Sequence, residues 1–146
     1  MNYTPSIIEI YKKNQGIVLS ELSILALDKA TGKIQAVGYE AKYKEGSDVL
    51  VKSPLKDGRV ADWNDSAKLF KHFLYQAGVG RKVFAPRPKI AVCMLPDATQ
   101  VENQAMEELM MLCGAKKVVL TELSLAEFLS SGRDSEWDYV ISIRQE

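Results

Sequence analysis

The second half of this chain alternates apolar runs with amphipathic helices, and few folds tolerate that order. "IAVCML" (Ile90–Leu95) is uninterruptedly apolar, as expected of a strand covered on both faces. Residues 99–114, "TQVENQAMEELMMLCG", have a helix entry at Thr99, with Glu102 three positions on completing a capping box, and an exit at Gly114. "KKVVLTEL" reads as the next strand, and Ser124 with Glu127 opens a short helix over "SLAEFLSSG". "EWDYVISIRQE" follows, with Tyr139–Ile143 as a last strand. Strands separated by helices of this length pair in parallel through right-handed crossovers.

The first half has a different grammar. Ile7–Tyr11 and Ile17–Leu27 flank Lys13-Asn14-Gln15-Gly16, a hairpin signal. The second run leads through Asp28–Lys33 into Ile34–Val37, so the start reads as a three-strand meander. Tyr39–Tyr43 makes a short helix. "VLVKSPLKDGRVADW" is a strand, a proline-broken loop and an Asp57-Gly58 turn. The helix "DWNDSAKLFKHFLYQAG" is capped by Asp62 or Asn64 and closed by Gly78. Its apolar stripe is Ala67, Phe70, Phe73, Leu74 and Ala77. His72 falls beside Lys68, Lys71 and Gln76 on the other face, and is assigned to solvent. In the helix over 99–114, Val101, Ala105, Leu109 and Leu112 form the expected core stripe. Met106 is expected to pack on the sheet. The Met110-Met111 pair is open to use at an adaptable interface. The order is βββ-α-β-α-β-α-β within one α/β domain, residues 1–146.

Composition narrows the function classes. Lys and Arg number 19 and so do Asp and Glu. A balanced total argues against nucleic acid. Residues 1–90 nevertheless carry 15 basic against 9 acidic side chains, and residues 91–146 carry 4 against 10. Solvated helix faces account for such a split, as does charge-steered self-association of one molecule's basic region with another's acidic region. No apolar run approaches the roughly 20 residues of a membrane span, and no signal peptide is legible. Cys93 and Cys113 lie in apolar surroundings without metal or redox spacing, and are read as reduced, buried cysteines of a cytoplasmic protein.

The blocks "QGIVLSELSILALD", "VGYEAK", "SPLKDGRVADW", "LPDATQVENQAMEEL" and "GAKKVVLTELSLAEFL" together resemble the bacterial actin family MreB, in the same order and with similar separations. The resemblance covers roughly residues 15 to 130. It implies an actin-type, ribonuclease-H-like mixed five-stranded sheet with helices on both faces, and only the first of the two actin halves. It also implies a nucleotide site, which this chain does not match. The family's Asp-x-Gly-Thr-x-Asn-Thr phosphate loop falls on Asn2–Ile7. There is no aspartate or glycine there, and Pro5 removes an N–H donor. The second phosphate loop falls on Ser142–Glu146 without a match. The family's Glu-Glu-Pro, whose second glutamate is associated with hydrolysis, reads Glu122-Leu123-Ser124, and a leucine cannot orient water. At Pro96–Thr99 the helix N-terminus is a generic anion site, but Asp97 would repel phosphate. No catalytic residue, metal ligand or cofactor is therefore assigned.

The family's first strand, central in its 3-2-1-4-5 sheet, has no counterpart before Ile7. A vacant centre would leave unpaired backbone groups in the interior. The terminal run Tyr139–Ile143 is the spare strand. In the vacant slot it lies antiparallel to Ile7–Tyr11 and parallel to Ile90–Leu95, with the helix over 124–132 on the sheet face opposite the other two. This predicts a circularly permuted half-actin, or a domain-swapped dimer if the strand fills a neighbour's slot. Three functions are weighed. The first is a non-catalytic interaction protein linked to bacterial cytoskeleton or cell-shape machinery, binding a protein partner or itself (as a homodimer, for instance), without nucleic acid or membrane. The second is a degenerate nucleotide binder or ATPase working as a dimer. The third is a small-ligand sensor whose crevice at the strand C-termini is lined by Thr4, Thr99, Ser142 and Arg144.

Overall fold

The computed structural model describes residues 5–145. Five strands make one mixed sheet: β1 (Ser6–Lys12), β2 (Gly16–Leu22), β8 (Lys89–Cys93), β9 (Lys117–Thr121) and β10 (Tyr139–Gln145), in the spatial order β2-β1-β10-β8-β9. The last strand in the sequence is the middle strand in space. β10 runs antiparallel to β1, from Ser6↔Gln145 to Lys12↔Tyr139, and parallel to β8, from Tyr139↔Ile90 to Ser142↔Cys93. The central placement expected of Tyr139–Ile143, antiparallel to β1 and parallel to β8, is the one adopted.

Burial follows from that position. Tyr139, Val140, Ile141, Ser142 and Ile143 are all buried, because a central strand in a sheet with helices on both faces has no solvent side. Tyr139, Ile141 and Ile143 pack with Ile8, Ile10, Ile90 and Val92 under α1 (Trp63–Ala77) and α2 (Gln100–Leu112). Val140 packs with Ala91, Cys93 and Trp137 against Phe128 of α3 (Leu125–Ser130) on the other face. The strand period of two thus divides the core between two helical layers, and α3 lies opposite α1 and α2 as expected.

Two readings are corrected. The apolar run Ile17–Leu27 is not one strand. It breaks at Ser23 and Ile24, and β3 (Leu25–Asp28) belongs to a second sheet in the order β4-β3-β5, with β4 (Ile34–Val37) and β5 (Val49–Lys52). The break is fastened by polar groups that a continuous strand would leave idle. Ser6 N donates to Ser23 Oγ at 2.8 Å, and Ser23 N donates to Ser6 O at 2.9 Å. The small sheet buries its own cluster of Leu22, Ile24, Ala26, Ala36, Ala41 and Val51.

The second correction concerns α2. Met106, Leu109 and Met110 are fully buried, whereas Val101 is 76% and Leu112 51% exposed. At 3.6 residues per turn, positions 101, 105 and 112 lie about a third of a turn round from the 106–109–110 face. The expected stripe therefore had the wrong phase, because the methionines carry the packing that the aliphatic residues were given. Met111 is exposed and Met110 is not.

The remaining elements match their local signals. Asp57 and Gly58 both have positive φ (52° and 77°) in the tight turn between β6 (Leu55–Lys56) and β7 (Arg59–Val60). Asp62 caps α1 by accepting from Asp65 N at 2.9 Å, and Gly78 closes it in the left-handed region at φ 119°. All five predicted stripe residues of α1 are buried, and His72 is exposed.

Candidate functional site

β8 and β10 are parallel neighbours, so their carboxyl ends open together into a crevice, the usual position for a ligand in an open α/β sheet. A cavity of about 630 Å³ lies there. It is lined by Cys93, Met94 and Ser142 at the strand ends, by Leu123, Leu125 and Leu129 of the β9–α3 region, and by Leu95, Ile143 and Ile17. The lining is mostly apolar, as suits ligand pockets generally. Its charged groups are Glu9, Glu122 and Glu127 against a single guanidinium, Arg144.

None of these charges is arranged to hold a phosphate. Arg144 Nε donates to Glu9 Oε1 at 3.0 Å across the β1–β10 pair. Glu127 accepts from Ser124 N at 3.1 Å in the capping box of α3, and the backbone donation holds its carboxyl below the ordinary range. Cys93 is a buried thiol that burial pushes up to about 11, so it is protonated and unreactive at neutral pH. Cys113 is pushed up to about 11 for the same reason, and both cysteines are free. Among the described residues no cluster of three or more His, Cys, Asp and Glu side chains could hold a metal ion.

Of the four residues expected to line this crevice, the fold brings two together. Ser142 and Arg144 both line it. Thr99 is not. It is the N-cap of α2, accepting from Glu102 N at 3.1 Å while Glu102 returns to Thr99 N at 3.2 Å, so its polar atoms are committed to the helix. Thr4 lies outside the described residues. Sequence reasoning missed the apolar wall formed by Leu95, Leu123, Leu125 and Leu129. The available signal was the leucine at position 123, considered only as a lost catalytic group and not as a lining residue.

At the other end of the sheet lies the connector between α1 and β8. Arg81 donates to the final carbonyls of α1, with Nε to Tyr75 O at 2.7 Å and Nη2 to Gln76 O at 2.9 Å. Arg87 Nη2 donates to Ala115 O at 2.7 Å, just beyond α2. Between these anchors a turn closed by Ala85 N to Lys82 O at 3.3 Å presents Val83 and Phe84, which are 90% and 98% exposed. Beneath it is a second cavity of about 520 Å³, whose lining includes Lys12, Lys13, Arg87, Lys89 and Lys116.

A mixed five-stranded sheet with a central strand bracketed by helices on both faces is the core of one half of an actin-type protein, and solved structures agree. Crystal structures of MreB5 of Spiroplasma citri bound to AMPPNP and to ADP superimpose with TM-scores of 0.71 and 0.69, covering 87% and 80% of this chain and 38% and 35% of theirs. At 24% identity that likeness shows the fold. The MreB/Mbl protein family model matches residues 4–136, and the chain belongs to that family. It is 38% identical over 116 residues to the cell shape-determining protein Mbl of Bacillus cereus, covering 77% of this chain and 34% of Mbl. It is 36% identical over 130 residues to the cell shape-determining protein MreB of Escherichia coli, covering 84% of this chain and 37% of MreB. The chain thus spans about a third of the length of the relatives it matches. Among the described residues no helix is long and apolar enough to cross a membrane.

Proposed function

We propose that this chain is a non-catalytic, MreB-like interaction protein of the cell-shape machinery, acting in the cytoplasm by self-association or on another protein. One observation carries the reading. Among the described residues, the ground where the family resemblance puts phosphate includes the paired ends of the central strands β1 and β10 beside an apolar, acid-rimmed crevice. A triphosphate needs cations and converging N–H donors. The crevice offers one guanidinium already bound to Glu9, and Glu122 and Glu127 nearby would repel the ligand. Leu123, at the position of the family's hydrolytic glutamate, faces the crevice as wall.

Calorimetric titration with ATP and Mg²⁺ tests this directly. No binding heat is expected at micromolar ligand. A micromolar site would overturn the reading and favour the degenerate nucleotide binder working as a dimer.

A further inference from the structure

At the amino ends of β8 and β9 the charges fall into a row. One step beyond the pairs Lys12↔Tyr139, Tyr139↔Ile90 and Ile90↔Val118 stand Lys13, Asp138, Lys89 and Lys117, at one level across four adjacent strands. Backbone bonds hold that level, with Lys13 N donating to Asp138 O at 3.0 Å and Asp138 N to Lys89 O at 2.9 Å. Directly opposed residues share a sheet face, and all four line a cavity of about 460 Å³ together with Ser135, Glu136 and Trp137. The larger cavity beneath the connector shares Lys13, Lys89 and Asp138, and adds Lys12, Arg87 and Lys116. Six cations thus face two carboxylates, Asp138 and Glu136.

Helix ends account for two of the six, since cations suit helix C-termini. Lys12 Nζ donates to Ala77 O at 3.3 Å, and Arg87 Nη2 to Ala115 O at 2.7 Å. Lys13, Lys89, Lys116 and Lys117 are exposed, and among the described residues none of them is in an ion pair. The Asp138 carboxylate is turned to the backbone, accepting from Lys89 N at 2.8 Å. Lys117 Nζ lies 5.6 Å from the centre of the Trp137 ring, and the buried Trp137 indole N–H has no acceptor among the described residues.

We infer that this row is a docking groove for an extended acidic segment of another protein, laid across the strands with two carboxylates four residues apart. Strands spaced at about 4.8 Å put Lys13 and Lys117 about 14 Å apart, and residues i and i+4 of an extended chain are also about 14 Å apart on one face. Residue i+2 then falls beside Asp138, where a hydroxyl donor fits and a third carboxylate is repelled. Residues four apart on a helix are only about 6 Å apart and cannot span the row.

The inference rests on the reading that this chain acts on another protein. The full chain, labelled with nitrogen-15, is titrated with the peptide Gly-Glu-Ser-Thr-Ser-Glu-Gly and with its isomer Gly-Ser-Glu-Glu-Thr-Ser-Gly, and amide signals are followed by NMR. The first peptide is expected to shift the signals of Lys13, Lys89, Lys117 and the Trp137 indole, at least about fivefold more tightly than the isomer and less tightly as salt rises. Lys13→Glu with Lys117→Glu is expected to weaken it at least about tenfold, and Lys13→Arg with Lys117→Arg to keep it. Lys33→Glu with Lys42→Glu makes the same change in net charge on lysines that line neither cavity, and is expected to change binding less than about twofold. All four positions are exposed, and circular dichroism checks that the fold is kept. Isomers that bind equally, or a control pair that weakens binding as much as the row variant, would mean a diffuse basic surface and overturn the inference. Retention on anionic lipid vesicles that needs Lys13 and Lys117, without preference between the peptides, would assign the row to a lipid surface and overturn it too. A chain that binds neither peptide nor ATP overturns this inference alone. Peptide binding beside a micromolar ATP site overturns the non-catalytic reading alone.

Discussion

At the scale of single residues, an ion cluster ties the small sheet to α1. Lys52 of β5 bonds Asp65 and lies 3.3 Å from Asp62, and Lys68 reaches Asp65 at 3.8 Å. Asp65 is buried, and removing it takes from the half-buried Lys52 the nearer of its two carboxylate partners, leaving Asp62 alone. Asp65→Ala is expected to cost about 1–3 kcal/mol in urea denaturation. The pH dependence has a definite sign. The Asp65 backbone N–H, and then Lys52, hold the Asp62 carboxyl below its ordinary 3.8. Its contribution is therefore present above pH 4 and lost as pH falls through the lowered value. Asp65 holds Lys52 above its ordinary 10.5, so that contribution is full below 10.5 and lost at higher pH. Asp62→Asn keeps a capping side chain but cannot titrate. Its stability is expected to change less than wild type's between pH 5 and 3, by below about 1 kcal/mol since the group is partly solvated. Thermal melts at the two pH values measure the difference.

At the scale of elements, α2 gives the sharpest test of what the structure adds to the sequence. Met110→Ala is expected to cost about 2–5 kcal/mol, whereas Leu112→Gln is expected to stay within about 0.5 kcal/mol. The reverse order in chemical denaturation would mean that α2 is rotated from the orientation described. Where local chemistry settles a feature, the sequence was sufficient. The Thr99 and Ser124 capping boxes, the Asp57-Gly58 turn and the Asp62 and Gly78 caps depend only on residues a few positions apart. The phase of α2 depends on whether methionine or leucine faces the sheet, and both are apolar, so periodicity could not decide it. The break at Ser23 depends on Ser6, which is 17 positions away. The crevice was located by strand polarity, but its lining comes from the β8–α2 and β9–α3 loops, and loop residues carry no period from which to read it.

At the scale of the molecule, the position of β10 makes the domain depend on its least local strand. Removing residues 137–146 would expose the inner edges of β1 and β8 and uncover Phe128, Ile8 and Val92. The truncated chain is expected to lose cooperative unfolding altogether, as followed by circular dichroism. A truncated monomer that melts like the full chain would contradict the topology. The same position constrains synthesis. During translation β10 leaves the ribosome after every other strand described, so the nascent polypeptide carries two unmatched sheet edges until then. Long-range closure of this kind is slow, and open edges invite pairing with neighbouring chains on the same message. The interval in which those edges stand open is set by the time β10 takes to be made and to close the sheet.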